Sequence, residues 1–252
     1  MRVGKSFAAL PLLILAMLPS VSIAQNERTL PPDYRGVNVQ PGGIFVTPVS
    51  GAPFSATVDI ISRQKLGDGT TNIRTTIAHV ARDSSGRIYN ERRQMVSTGF
   101  TGQPPLLSSH IYDPGTHVST LLNPYTRVAR QFVLKQVQVP SPDYVPVLGP
   151  HAGAQLAKEE QLGEQAIGNT ELRGVRKTWT VPATASGTGA PLSIIDEYWY
   201  SPDLSVYLII KHDDPRTGEQ IVAVTEVDRR EPDASRFIVP AGFKVVDETP
   251  VE

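Results

Sequence analysis

The sequence predicts a mainly β fold: one large curved antiparallel sheet or an incomplete β-barrel, with at most one short helix. Three observations carry this. Apolar and polar residues alternate at period two through much of the chain, as in Phe54-Ser55-Ala56-Thr57-Val58-Asp59-Ile60. Turn-forming groups punctuate that alternation, among them Gly67-Asp68-Gly69, Asp83-Ser84-Ser85-Gly86, Pro114-Gly115 and Asn123-Pro124. Only residues 154–160 have helix-forming composition, and that stretch is short.

Taken in order, the chain opens on an address. Arg2 and Lys5 are followed by an apolar run over residues 7–18 and by the small residues of Ser22-Ile23-Ala24. This is the tripartite pattern of a secretory signal peptide, expected over residues 1–24 with cleavage after Ala24. The apolar run is too short to span a bilayer, and no later segment is long and apolar enough to do so. The mature protein is therefore expected in the periplasm or outside the cell. Residues 25–53 hold Pro31, Pro32, Pro41, Pro48 and Pro53 with four glycines, and read as a Pro/Gly-rich arm. Val37, Val39, Ile44, Phe45 and Val46 give that arm a way to lay a short strand on the domain. Residues 54–246 read as a single β-rich domain, and 247–252 as a tail.

Inside the domain, strands are expected over 54–60, 71–82 and 87–95 as a meander, with Ile73, Thr75, Ile77 and His79 sharing one face of the second. Short strands follow over 109–113, 117–122 and 126–134. The prolines at 140, 142, 146 and 150 mark a rigid connection. Residues 162–167 and 172–181 form one more hairpin, and 183–190 are small and flexible. A strand over 192–200 turns at Ser201-Pro202-Asp203. Leu204, Val206, Leu208 and Ile210 then alternate with Ser205, Tyr207, Ile209 and Lys211, apolar on both faces in the middle, which marks a strand covered on two sides. Residues 212–218 turn, 220–229 return, and Phe237-Ile238-Val239 with Phe243-Lys244-Val245 close the domain, giving about ten strands.

Composition excludes several classes of function. With 24 basic and 25 acidic residues the chain lacks the basic excess of a nucleic-acid binder. It has no cysteine, hence no disulfide, thiolate metal site or cysteine nucleophile. No P-loop, Gly-x-Ser-x-Gly elbow, dinucleotide fingerprint or His-Glu-x-x-His is present, so no cofactor and no metal are expected. His110, Asp113 and His117 flank one Pro-Gly turn, but their spacing has no ligand logic, and a plain hairpin is expected. His212-Asp213-Asp214 reads as an Asx-type turn rather than a calcium or catalytic carboxylate site. Glu197 beside Trp199 invites comparison with a glycosidase acid. That chemistry needs a second carboxylate, whereas Asp196 points to the opposite face, so pairing of Glu197 with Arg or Lys across the sheet is expected. Arg82, Arg87, Arg92 and Arg93 cluster around one hairpin beside Asp83 and Glu91, which reads as a solvated, salt-bridged edge; an anionic headgroup or polymer is the sharper alternative.

One stretch of the chain resembles a known group. Tyr198-Trp199-Tyr200-Ser201-Pro202-Asp203, followed by Lys211, Asp214, Gly218 and Phe237-Ile238-Val239-Pro240-Ala241-Gly242-Phe243, resembles the ending of LolA-like and RseB-like periplasmic proteins. Phe54-Ser55-Ala56, Ala81-Arg82-Asp83, Gly86-Arg87 and Glu91 resemble, in the same order, secreted bacterial proteins to which no activity attaches. The first resemblance implies an unclosed antiparallel barrel that holds acyl chains beneath plugging helices. This chain departs from it in having no clear lid helix.

The function expected is that of an exported, non-enzymatic periplasmic protein that binds or senses a hydrophobic, acyl or lipoprotein-type ligand on the concave face of its sheet. Val206, Leu208 and Ile210, with Val222 and Val224 on the hairpin partner, would form the apolar wall. The alternative is a ligand-free structural or interaction protein of the envelope, whose partner is another envelope protein.

Overall fold

The structure, a computed structural model, describes residues 43–135 and 153–250. All of these lie within one compact unit, Asp33–Glu252. The expected leader and its cleavage point, the first part of the 25–53 arm, most of the proline connection and residues 251–252 lie outside the described residues.

Among the described residues thirteen strands form one sheet. They are β1 (Phe54–Lys65), β2 (Thr71–Arg82), β3 (Ile88–Arg93), β4 (Val96–Ser97), β5 (Leu106–Asp113), β6 (Val118–Asn123), β7 (Val128–Val133), β8 (Gln155–Ile167), β9 (Thr170–Val181), β10 (Leu192–Ser201), β11 (Val206–Asp214), β12 (Gly218–Asp228) and β13 (Lys244–Asp247). Their spatial order is β13-β7-β6-β5-β3-β2-β1-β12-β11-β10-β9-β8, with β4 placed beside β2. Every pairing is antiparallel except β13 on β7. The mainly β, open-sheet architecture expected from the alternation is the one observed.

Alternation sends the side chains to two faces. On one face Phe54, Ala56, Val58 and Ile60 meet Ala78 and Val80 of β2 and Val222 and Val224 of β12. Ile210 pairs with Val222 and with Tyr198. These side chains, with Leu208, Val206, Leu172, Leu204, Ile88 and Tyr112, build the main core cluster, most of them at or near zero exposure. The described end of the Pro/Gly-rich arm belongs to it: Ile44 and Val46 are fully buried there. A smaller cluster of Ala81, Ile111, Leu122, Ala129 and Phe237 sits on the opposite face.

Several local expectations are corrected. Residues 154–160 are not helical but open β8, whose backbone pairs with β9 from Gln155 to Ile167. Ladder pairing with β9 outweighs the helix propensity of Ala, Lys and Glu, which is worth only tenths of a kcal/mol per residue. The described helix is instead one turn, α1 (Ala183–Ser186), where a flexible stretch was expected. Phe237 ends a 3-10 helix, Ala234–Phe237, rather than starting a strand. Its N-cap Asp233 accepts the Ser235 amide at 2.8 Å, and that local bond holds the chain in a turn. His212 to Asp214 continue β11, so the turn begins only at Pro215. Gly218 is required there. Its φ is +100°, and a Cβ would fall on the Arg63 carbonyl oxygen.

Candidate functional site

The five residues of the expected apolar wall share one face of β11 and β12, as the alternation requires. Val206, Leu208, Ile210, Val222 and Val224 are each at most 3% exposed and belong to the main core cluster. They are packed against Phe54, Ile60 and Tyr198, with the Ile44–Val46 segment in the same cluster.

Arg82 is part of that interior. It is fully buried, which corrects the expectation of a solvated arginine edge. Its Nε and one terminal nitrogen donate to the Ala52 carbonyl at 3.0 and 2.8 Å. The other nitrogen donates to the Thr47 carbonyl and hydroxyl at 2.8 and 3.2 Å, and Leu204 O completes the set at 2.8 Å. The Phe54 ring lies 5.1 Å away. Burial lowers its pKa to about 10. The other arginines disperse. Arg87 pairs with Asp83 at 2.5 Å and covers the Phe237 ring at 5.2 Å. Arg93 pairs with Glu91 at 2.8 Å, while Arg92 faces solvent.

The remaining expected groups are also placed. Glu197 accepts from Lys211 at 2.9 Å, Arg176 at 3.0 Å and the Trp199 indole at 2.8 Å, the cross-strand pairing read from sequence. Burial pushes its carboxyl up, but the Lys211, Trp199 and Arg176 hydrogen bonds outweigh it and hold the pKa at about 2. A carboxyl so held carries no proton at neutral pH, so it cannot act as a general acid. Asp196 faces the other way and is fully buried. It accepts the Trp179 indole N–H at 2.8 Å and lies 2.7 Å from His212 Nδ1. His110 bonds to the Ser119 hydroxyl at 2.7 Å, and burial lowers its pKa to about 4. Asp113 caps its own turn at the Gly115 amide, and His117 occupies the left-handed position of that turn. Among the described residues no three His, Asp or Glu side chains converge in a way that would hold a metal ion. Asp214 accepts the Arg216 amide at 2.9 Å and its guanidinium at 2.7 Å, an Asx-type turn one step later than expected.

Sequence reasoning did not find the open site, which lies on the opposite face of the sheet. A row of side chains crosses five strands there. Thr57 of β1 stands opposite His79 of β2. The His79 amide donates to Glu91 of β3 at 3.3 Å. Glu91 pairs in register with Ser109 of β5, and Ser109 with Leu122 of β6. The chain from Glu231 to Phe243 crosses above this row. One end is held by Glu231, which accepts the Ser84 amide at 3.1 Å, and by Arg87 on Phe237. The other end is held by β13, whose Lys244 amide donates to Arg127 O at 2.8 Å. Between segment and sheet is a cleft of about 470 Å³. Its walls are Leu106, Leu122, Pro124, Ile238, Pro240 and Phe243, its floor Tyr89, Glu91 and Ser109, with His79, Ser235 and Arg236 at one end. The Tyr89 hydroxyl donates to Glu91 at 3.0 Å and lies 3.4 Å from Ser109. Burial raises the Tyr89 pKa to about 12, so the phenol stays neutral. The sequence signal for this site was the alternation of β2 and β3. The strap that makes it a cleft comes from residues about 150 positions later, and no local pattern reports that.

No family model matches the chain, and no curated protein matches it either. Solved structures similar to it include an uncharacterized conserved protein from Thermus thermophilus, at 12% identity over 78% of this chain and 91% of that one, TM-score 0.40. The complex of MucA and MucB from Pseudomonas aeruginosa matches at 9% identity over 77% of this chain, TM-score 0.36, and the chain spans only 58% of the length of the chain it matches there. A LolA superfamily protein from Nitrosomonas europaea matches at 10% identity over 74% of this chain and 90% of that one, TM-score 0.29. At this level of similarity the functional reading rests on the geometry of the chain itself.

Proposed function

We propose that the chain is an exported, non-enzymatic protein of the cell envelope that takes a hydrophobic ligand in the cleft between its sheet and the segment 231–243. The observation that carries the reading is the cleft itself: about 470 Å³, with apolar walls and a small number of convergent polar groups, in the size range of small-ligand sites. Val206, Leu208, Ile210, Val222 and Val224, expected as the ligand wall, act in this reading as the core that makes the sheet rigid. Export rests on the order of charge, apolar run and small residues over 1–24, and the exported protein should have a mass that begins at Gln25. The non-enzymatic assignment is supported by the ion-paired state of Glu197 and by the placement of Asp196 and His212 inside the protein rather than in the cleft.

The test is a titration with an environment-sensitive fluorescent fatty acid. Wild type should bind saturably. Ile238→Asp, at a rim residue 57% exposed, should weaken binding at least tenfold without a change in melting temperature. Leu208→Ala should lower the melting temperature and leave affinity unchanged. Loss of affinity in Leu208→Ala with none in Ile238→Asp would return the ligand to the β11–β12 face. Absence of saturable binding would leave a ligand-free structural or interaction role.

A further inference from the structure

We infer that the cleft selects a carboxylate carried on an apolar body, with Arg236 as its anchor; the inference rests on the ligand-binding reading above and adds the chemistry of the head group.

The argument is a charge account of the cleft. Among the described residues Glu91 is the one carboxylate that lines it, and it is already engaged. It is 8% exposed and accepts from Arg93 at 2.8 Å, Tyr89 at 3.0 Å and the His79 amide at 3.3 Å. Arg93 also donates through one terminal nitrogen to Pro104 O at 2.9 Å. The Glu91–Arg93 pair is therefore internally neutral. Arg236 is different. It is exposed at the end of the 3-10 helix, and among the described residues no carboxylate forms an ion pair with it. The N-cap Asp233 feels its charge, but spends an oxygen on the Ser235 amide rather than on the guanidinium. The charge of Arg236 also reaches the floor of the cleft, where it opposes the upward shift that burial imposes on the Tyr89 hydroxyl. Apolar walls with a guanidinium at the mouth that forms no ion pair among the described residues fit an amphiphile bearing a single planar anion, which the guanidinium fork can engage in bidentate fashion.

The neighbouring surface sets the direction of entry. Arg236 and His79 also line a second groove of about 360 Å³, which contains Glu226 and Asp228. Asp228 is neutralised by Arg230 at 2.6 Å, but Glu226 has no such partner among the described residues, and it raises the pKa of Asp59 after burial has done so. That groove repels an anion. The carboxylate therefore stops at Arg236, and the apolar body extends the other way, between Leu122 and Phe243. A free fatty acid and the C-terminal residue of a peptide share this chemistry.

Calorimetric titrations decide it, with dodecanoate and dodecanol below their aggregation limits, and with a heptapeptide ending in Leu-Phe as free acid or amide. Dodecanoate should bind about three- to tenfold more tightly than dodecanol, the range of a partly exposed charge-assisted contact. The difference should vanish in Arg236→Gln and shrink on raising salt from low to molar concentration. Arg236 is exposed and its side chain makes no described bond, so the variant should melt as wild type does. A preference of the free-acid peptide over its amide would make a chain terminus the natural source; dodecanoate selectivity without it would make a fatty acid the source. Equal binding of dodecanoate and dodecanol, unchanged in Arg236→Gln, overturns the inference and leaves the hydrophobic cleft standing. Failure of both to bind removes the cleft reading and this inference with it.

Discussion

Arg82 is a cation inside the protein with five donor bonds to oxygen and, among the described residues, no carboxylate partner. Its guanidinium ties together three backbone carbonyls from distant parts of the chain, those of Thr47, Ala52 and Leu204; the Thr47 oxygen also accepts the Val49 amide at 3.0 Å, so the Ala52 and Leu204 oxygens depend on Arg82 more. Each unsatisfied acceptor costs roughly 1–3 kcal/mol. Arg82→Met should therefore lower the unfolding free energy by about 3–5 kcal/mol in urea titrations. Arg82→Lys should recover little, because an ammonium cannot span three acceptors held in a fork. The sequence showed four arginines near one turn, the usual look of a surface. It held no sign of this role, because the acceptors are backbone atoms at positions 47, 52 and 204. His110 carries a pH dependence. Its folded pKa of about 4 lies below its ordinary value of 6.5. Between those values the unfolded chain binds the proton and the folded chain does not, so stability present above about pH 6.5 is lost as pH falls through about 4. His110→Gln should remove that part of the slope, seen as a smaller difference between melts at pH 7 and pH 4.5.

At the scale of the element, β9 and β10 are fitted to one another by a missing side chain. Trp199 stands opposite Gly174 in the ladder, and a Cβ at Gly174 would come within 2.7 Å of its ring. The indole thus lies over bare backbone, with its N–H held by Glu197. Gly174→Ala must move the ring, which should cost about 1–3 kcal/mol and shift tryptophan emission. Trp199 and its strand were plain in the sequence, as were β2, the β1–β2 turn and the alternation of β11. What the sequence concealed was the first half of β8, residues 155–160; the second half, 162–167, was legible as a hairpin strand. The Lys-Glu-Glu composition of the first half is that of a solvent-facing helix, and it is a strand because β9 offers β8 a full-length partner. A partner supplied by tertiary context leaves no local trace. The cleft was half legible: period two grouped His79 with Thr75 and Ile77 on one face of β2, but nothing marked that face as the open one or Ile238 and Phe243 as its opposite wall.

For the molecule as a whole, the buried face of the sheet decides stability. Leu208 is fully buried, and Leu208→Ala should cost about 2–5 kcal/mol, read from chemical denaturation. Ile44 is equally buried in the same cluster, although it lies in a stretch whose prolines and glycines suggested coil. Ile44→Ala should cost a comparable amount, and a loss below about 0.5 kcal/mol would show that the segment 43–53 contributes nothing to the core. The strand order carries a consequence for how the molecule comes into being. Strands β1 to β7 are neighbours in sequence, and so are β8 to β12, and among the described residues the two runs share a ladder only where β1 meets β12, Ser55 opposite Asp228. Such a seam closes late, because the entropy of joining distant segments is spent before any contact rewards it. Until β12 emerges, β1 presents a free edge of twelve residues to any strand in reach. A chain that stops short of β12 should therefore be held by chaperones or aggregate rather than persist as a smaller version of the sheet.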